Sequence, residues 1–217
     1  MLGSGKRDMI CLAQSARFEA HDIMSADYDP SHGYDAEADA YARLRSDTGH
    51  AVIEMWAKGL PSCGHVLDLG AGTGFPVTQA LCDAGLTVTA LDASPAMVSM
   101  FKTAFPDVSV WCEPVENSDR LDQSYDGIAA IGLIFLLPET SQRDLIRKMV
   151  GALRPGGALI MSAPLEEGEW RDRLTGRMSL SLGRAQYTQC LRMAGLHALS
   201  FAEDRGGNHY YIGWMPS

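Results

Sequence analysis

Short apolar runs alternate with amphipathic stretches over the middle of the chain. Apolar runs of about five residues bounded by glycine, proline or aspartate predict buried strands, and apolar residues at helical spacing predict helices between them. The predicted strands are residues 65–69, 87–92, 108–112, 127–133 and 158–163. The predicted helices between these strands are residues 76–84, 94–104 and 141–153. This alternation predicts a parallel, doubly wound α/β sheet.

Both ends of the chain depart from this alternation. Residues 1–34 predict an irregular N-terminal extension or lid, in which only residues 6–24 approach helical spacing. Two further helices are predicted, one from Tyr34 and one over residues 48–58. Near the C-terminus, two β-like runs flank Gly206-Gly207, which is typical of a hairpin. We therefore expect one domain over residues 35–217, with a Rossmann-like sheet of seven strands. The sheet is mostly parallel, with an antiparallel C-terminal hairpin and helices on both faces.

Composition and charge narrow the classes of function. The formal net charge is −9, and no basic cluster is longer than Lys6-Arg7 or Arg147-Lys148, which argues against a nucleic-acid partner. The five cysteines are scattered and never spaced as CxxC, so we expect reduced thiols and no zinc site. The longest apolar run, residues 128–137, is too short to span a membrane. We expect a cytoplasmic protein, either a monomer or a homodimer, that binds neither nucleic acid nor a membrane.

The stretch VLDLGAGTGFPV, residues 66–77, predicts a ligand-binding corner between a strand and a helix. Its three alternating glycines, within residues 70–74, allow close approach to the backbone. The dinucleotide fingerprint GxGxxG is not met, because Phe75 stands at its third glycine, and no GK[ST] follows. A carboxylate at Asp68 would repel a pyrophosphate but can pair with an ammonium group. Asp92, at the end of the second strand, is placed to accept ribose hydroxyls. A ligand without phosphate is therefore favoured.

The loop DLGAGTG at residues 68–74 resembles the D/E-x-G-x-G-x-G loop of class I S-adenosylmethionine-dependent methyltransferases. Three later segments resemble the second-strand acid with its helix, the fourth strand and the entry to the fifth strand: LDASPAMV at 91–98, SYDGIAAIGLIFLLP at 124–138 and LRPGGALIMSAP at 153–164. The terminal hairpin is similar to the family's sixth and seventh strands. Five segments in the family's order make the resemblance specific, and it points to the small single-domain bacterial type.

This resemblance implies a cofactor, S-adenosylmethionine, with S-adenosylhomocysteine as its product, and a set of residues that bind it. These residues are Asp68, Gly70, Ala71, Gly72, Gly74, Asp92, Ala93, Met97, Glu113, Val115 and Ile131. In the family pattern the glycines admit the methionine and ribose parts, Asp68 faces the amino end and Asp92 holds the ribose hydroxyls. Pro114 stands where the family often has an acid, so the adenine amino group needs Glu113, Glu116 or another residue.

The absence of certain motifs limits the kinds of acceptor that the protein can methylate. No [DN]PP[YF] motif, Pro-Cys nucleophile or core carboxylate cluster is present, which disfavours nucleobase amino, cytosine C5 and metal-dependent catechol methylation. Segments 166–183 and 206–211 resemble signatures of a bacterial group of small methyltransferases. The candidate acceptor-binding residues are Tyr28, Tyr34, Phe135, Trp170, Asp172 and Tyr211. His209 is the candidate general base, because imidazole titrates near neutral pH.

The sequence therefore predicts a metal-independent methyltransferase that uses S-adenosylmethionine to methylate a small-molecule acceptor at oxygen or nitrogen. Two alternatives stay open. One is a non-catalytic S-adenosylmethionine-binding partner or sensor protein, which a lack of turnover across acceptors would favour. The other, less favoured, is a nicotinamide-dependent oxidoreductase, which binding of NAD would favour.

Overall fold

A seven-stranded sheet organises residues 29–217, the part of the chain that the computed structural model describes. The predicted helical stretch 6–24 and Tyr28 lie outside these residues. The strand order is β3-β2-β1-β4-β5-β9-β8, with β1 to β5 parallel and β9 antiparallel to both of its neighbours. The strands are β1 His65–Leu69, β2 Thr87–Asp92, β3 Ser109–Cys112, β4 Tyr125–Ala130, β5 Leu153–Ser162, β8 Ser200–Glu203 and β9 His209–Trp214. The predicted fold class is confirmed.

Helices cover both faces of the sheet. They are α1 Ala38–Leu44, α2 His50–Ala57, α3 Val77–Asp83, α4 Pro95–Ala104, α5 Glu139–Gly151 and α6 Gly183–Ala194. Val66 of β1 packs in a cluster with residues of α2 and α3, whereas its neighbour Leu67 packs in a cluster with residues of α5 and α6. Successive side chains of a strand point to opposite faces, so β1 must be apolar on both. None of the helices described is long and apolar enough to cross a membrane.

The fourth strand is shorter than predicted, since it ends at Ala130 and not at residue 133. Gly132 has φ +75 and its N–H donates to Ser162 Oγ at 2.8 Å, which turns the chain out of the sheet. A short 3-10 helix, Ile134–Leu136, follows. The apolar run after β4 therefore forms a wall at the carboxyl edge of the sheet.

The chain between β5 and α6, for which no helix or strand was predicted, forms a second sheet of two strands. It consists of β6 Glu167–Arg171 and β7 Met178–Leu182, which pair as an antiparallel hairpin. The side chain of Gln142 in α5 donates to the carbonyl oxygens of Leu137 and Leu180, both at 2.8 Å, and so ties β7 to the chain that follows β4. The hairpin is thus fixed near the carboxyl end of β4.

Candidate functional site

The glycine loop joins β1 to α3 at the carboxyl edge of the sheet. Gly70, Gly72 and Gly74 have φ values of +67, +56 and +86, in the left-handed region that favours glycine. A Cβ on Gly74 would lie 2.4 Å from Cε2 of Phe105, so this glycine is also required for packing against α4. The three glycines therefore let the loop backbone pass close to Leu133, Tyr41 and Phe105.

Asp68 lies beneath the loop and has only 1% of its surface exposed. Thr78 Oγ1, in the first turn of α3, donates to Asp68 Oδ2 at 2.6 Å. Burial raises the pKa of Asp68 to about 7, although the hydrogen bond from Thr78 acts in the opposite direction. The side chain ties the end of β1 to α3, and near neutral pH it exchanges between its charged and neutral forms.

Asp92 ends β2 and connects the glycine loop to α4. Its Oδ2 accepts a hydrogen bond from the N–H of Gly72 at 2.8 Å, and its Oδ1 accepts one from the N–H of Ser94 at 2.9 Å. Burial raises the pKa of Asp92, and the two N–H donors act against that rise. A carboxylate has about four acceptor positions, so two remain for hydroxyl groups of a ligand.

The other predicted cofactor residues surround this pair. Ala71 is buried and its N–H donates to the carbonyl oxygen of Leu91 at 3.0 Å, which holds the loop against β2. Met97 and Val115 are buried, and Ala93 and Ile131 are partly exposed after β2 and β4. The structure thus places all four along the carboxyl edge, around the ends of β2, β3 and β4.

Glu113 was predicted as a candidate for the adenine amino group, and its carboxylate is already bound within its own turn. Its Oε1 accepts from Ser118 Oγ at 2.6 Å and lies 3.8 Å from Nε of Arg120. The Arg120 guanidinium in turn lies over the ring of Trp111, 4.0 Å from its centroid. Glu113 therefore stabilises the segment that follows β3.

Asp35 and Tyr41 also lie at this site, although sequence reasoning did not select them. Asp35 Oδ1 accepts from Ser94 Oγ at 2.7 Å and from the N–H of Ala96 at 2.9 Å, at the start of α4. The Tyr41 ring lies 3.4 Å from the position of a Cβ on Gly72. Burial raises the pKa of Tyr41, which also feels the charges of Asp92 and Asp68. The available signal was the spacing of Tyr34 and Tyr41, seven residues apart in a predicted helix.

Four of the predicted acceptor residues form two pairs beside the hairpin. The rings of Phe135 and Trp170 have centroids 5.4 Å apart at an interplanar angle of 49°. The Tyr34 hydroxyl donates to Asp172 Oδ2 at 3.0 Å. Trp170 and Asp172 are two residues apart, and the cross-strand partner of Trp170 is Ser179. The structure therefore brings these four residues to one side of the carboxyl edge.

The remaining two predictions fall on β9. His209 begins the strand, and its Nδ1 lies 3.8 Å from Glu203 Oε2 on the neighbouring edge strand. Tyr211 is fully buried, packs against Tyr187 and Phe201, and donates from its hydroxyl to the carbonyl oxygen of Pro164 at 3.3 Å. Tyr211 is therefore a core residue that presents no surface to an acceptor, because its ring fills the space between β9 and α6.

The GGNHYY segment has a structural explanation in the β8–β9 turn. Asp204 Oδ2 accepts from Asn208 Nδ2 at 2.9 Å and from the Tyr210 hydroxyl at 2.7 Å. Gly206 contacts the N-terminal side of α2, since a Cβ there would lie 2.7 Å from Thr48 Cγ2. These residues fix the turn and its contact with α2.

Comparison with known proteins finds a methyltransferase domain in the middle of the chain. Residues 66–157 match a family model described as a methyltransferase domain. The chain is 32% identical over 133 residues to an uncharacterized methyltransferase of Mycobacterium tuberculosis, an alignment that covers 60% of this chain and 51% of that protein. The chain therefore contains a methyltransferase domain over residues 66–157. It spans about half or less of the length of the curated methyltransferases it matches, from 35% to 51%.

Solved structures share the methyltransferase fold at low sequence identity. A chain in the complex between the Haloferax volcanii Trm112 methyltransferase activator and a methyltransferase has a TM-score of 0.71 and 20% identity, covering 86% of this chain and 97% of that chain. The 1,6-didemethyltoxoflavin-N1-methyltransferase of Burkholderia thailandensis has a TM-score of 0.64 and 17% identity, covering 89% and 93%. These likenesses support the fold, and the site has to be judged on its own residues.

S-adenosylmethionine is the cofactor of the class I methyltransferases, and the residues present fit it. The glycines carry no side chain that would block close approach of a ligand, and Asp92 is fixed by two N–H donors with acceptor positions remaining. Asp68, whose pKa lies near 7, would be held in its charged form by a nearby ammonium group. The adenine amino group is the one part for which the predicted partner, Glu113, is already bound elsewhere.

Proposed function

We propose that this chain transfers the methyl group of S-adenosylmethionine to a nitrogen or oxygen atom of a small-molecule acceptor, and that the activity resides in the domain predicted over residues 35–217. The observation that carries the proposal is the position of Asp92. Its carboxylate joins the glycine loop to α4 at the carboxyl edge of a parallel sheet, the edge at which open α/β sheets bind ligands.

In this proposal, residues around the carboxyl edge each bind one part of the cofactor. Asp92 accepts the ribose hydroxyls and Asp68 faces the amino end. Ala93 and Met97 line the adenine, and the N–H of Val115 donates to an adenine ring nitrogen. When bound, the cofactor supplies a methyl group on a positively charged sulfur, ready for in-line transfer. The chain's own residues then orient the two reactants and exclude water, which is the main contribution of protein to this kind of chemistry.

The acceptor is proposed to bind between the β6–β7 hairpin and the chain after β4. Trp170 and Phe135 give this region an aromatic wall. Ser179 is 1% exposed, and its Oγ has no hydrogen-bond partner within residues 29–217, so it offers a polar contact to an acceptor. A net charge of −9 further supports a small molecule over a nucleic acid. The Burkholderia methyltransferase structure contains bound 1,6-didemethyltoxoflavin, a small molecule, which is the class of acceptor proposed here.

His209 stays the candidate general base in this proposal. It lies at the end of β9 that borders the carboxyl edge, and its Nδ1 lies 3.8 Å from Glu203 Oε2. We expect His209→Asn to slow transfer to acceptors that must lose a proton, with little change in cofactor binding. A methyl-transfer assay on one accepted substrate across pH 6–9 measures this, and an unchanged rate at every pH would exclude the role.

The first experiment is calorimetric binding of S-adenosylmethionine, S-adenosylhomocysteine and NAD. We expect both sulfur ligands to bind and NAD not to bind. Asp92→Ala should weaken S-adenosylhomocysteine binding by about 1–3 kcal/mol, because hydrogen bonds to the ribose are lost. Asp144→Ala, on the exposed face of α5, is the matched control and should bind as the unmodified chain does. Binding of NAD alone would overturn the proposal.

A second assay follows transfer of a labelled methyl group to a panel of small amines and hydroxy compounds, with bulk tRNA as a further arm. Labelling of a small molecule and not of tRNA is the expected result. Labelling of tRNA alone would contradict the proposed acceptor class. Cofactor binding with no transfer to any arm would favour the sensor alternative.

A further inference from the structure

Residues 31–44, which we call the strap, join the acceptor side of the site to the cofactor side. At one end, the Tyr34 hydroxyl donates to Asp172 in the β6–β7 turn at 3.0 Å. At the other end, the Tyr41 ring lies against Gly72 of the glycine loop. Between them, the strap accepts two hydrogen bonds from the start of α4. The strap therefore crosses the carboxyl edge between two regions that bind different ligands in the proposed function.

Asp172 is held in place as an anchor for the strap. Its Oδ1 accepts from the N–H groups of Leu174 and Thr175 at 2.9 and 2.8 Å, which leaves Oδ2 for Tyr34. Burial acts to raise the pKa of Asp172, but these hydrogen bonds outweigh it and hold the pKa below its usual range. Burial, and then the charge of Asp172, raise the pKa of Tyr34. An ionised acceptor thus faces a neutral donor at neutral pH.

Close packing reinforces the same contact. Gly33 has φ +85, and a Cβ there would lie 3.0 Å from Cβ of Thr175 and 3.1 Å from Nε of Arg177. A Cβ at this point would force Thr175 or Arg177 to move by a few tenths of an ångström, and the left-handed φ favours glycine here. The strap is therefore seated directly on the turn, and the Tyr34–Asp172 hydrogen bond lies beside this close contact.

The rings of Tyr34 and Tyr41 connect the hairpin turn to the glycine loop. Tyr34 and Tyr41 pack edge to face, with centroids 5.7 Å apart at 89°. Tyr41 approaches Gly72, and Gly72 donates its N–H to Asp92. A shift of Tyr34 away from Asp172 would withdraw support from Tyr41 and uncover the loop.

We propose that Tyr34 and Asp172 are positioning residues whose hydrogen bond holds the strap over the glycine loop and thereby controls how fast bound cofactor leaves. The proposal rests on the proposed function, because it requires cofactor at the loop. Asp172 was predicted to bind the acceptor. Its carboxylate accepts hydrogen bonds from its own turn and from Tyr34, so in this proposal it acts on the cofactor from the acceptor side of the cleft.

The test is the release rate of S-adenosylhomocysteine, measured by stopped-flow displacement with the full chain. Tyr34→Phe removes only the hydroxyl and should speed release on the order of tenfold, the scale of one hydrogen bond to a charged group. Tyr125→Phe is the matched control. It also removes one tyrosine hydroxyl that donates at 3.0 Å, here to the carbonyl oxygen of Arg120, but at the first residue of β4, on the opposite edge of the sheet. Its release rate should be that of the unmodified chain.

A second variant separates positioning from a general loss of structure. Asp172→Asn keeps an oxygen for Leu174 and Thr175 but replaces the acceptor of the Tyr34 hydroxyl with an amide donor. If both residues act through one hydrogen bond, the double variant releases the ligand no faster than Tyr34→Phe alone. Additive effects of the two changes would overturn the proposal. So would a Tyr34→Phe release rate within about twofold of the unmodified chain, with or without a lower melting temperature. Failure of the unmodified chain to bind S-adenosylhomocysteine would instead overturn the proposed function.

Discussion

Asp68 is a carboxyl group that the fold buries almost completely at the end of β1. Its position at the end of β1, with Thr78 as its hydrogen-bond donor, is fixed by the strand and the first turn of α3. The sequence was sufficient to select Asp68, Asp92 and the three glycines, because their residue types and spacing suit the loop itself. Asp35 and Tyr41 were not selected, because they reach the site only through the tertiary position of the strap.

At this scale we predict a pH dependence of stability. Burial raises the pKa of Asp68 from 3.8 to about 7, so between these values the folded chain retains a proton that the unfolded chain has lost. Stability must therefore fall as pH rises through this window, by up to about 1.4 kcal/mol per pH unit. Asp68→Asn should flatten the dependence between pH 5 and 7, measured by urea unfolding. The control variant Asp144→Asn, which changes an exposed carboxyl group, should leave the pH dependence of stability unchanged. A slope unchanged in Asp68→Asn would contradict the assigned cause.

At the scale of elements, strands buried on both faces were predicted most accurately. β1 and β2 have the predicted bounds, because a parallel strand between two layers of helices must be apolar throughout. The β6–β7 hairpin and α6 were not predicted. The residues of β6 are mostly exposed and charged, and the hairpin owes its position to Gln142 and to the chain after β4. Such contacts leave no periodic pattern in the sequence.

The glycine loop provides a prediction at the same scale. Gly74→Ala should destabilise the fold by about 2–4 kcal/mol, because backbone strain adds to a clash with Phe105 on α4. Gly85→Ala is the control, since Gly85 also has a left-handed φ of +75 but no atom within 4 Å of the added Cβ. The Gly85→Ala variant should lose only about 1 kcal/mol of unfolding free energy, which is the cost of backbone strain alone. Equal losses in the two variants, in chemical denaturation, would exclude the packing contribution.

At the scale of the whole molecule, the strap contacts both the glycine loop and the turn of the β6–β7 hairpin. If the strap couples them, S-adenosylhomocysteine should slow amide hydrogen exchange in the strap and also in the turn at residues 172–176. The turn between α3 and β2 at residues 84–86, at the opposite edge of the sheet, is the internal reference. Protection confined to the glycine loop and α4 would show that the two regions are independent.

The hydrogen bond between Tyr34 and Asp172 also has a consequence for attempts to change the substrate of this protein. In the proposed function, the hairpin after β5 is the segment to exchange in order to alter acceptor preference, since its Trp170 forms part of the aromatic wall. The same segment carries the anchor of the strap. If the Tyr34–Asp172 hydrogen bond controls cofactor release as proposed, a grafted hairpin that lacks an aspartate at this turn would change cofactor residence time together with acceptor selectivity. Libraries built on this scaffold should keep the turn constant and diversify the strands.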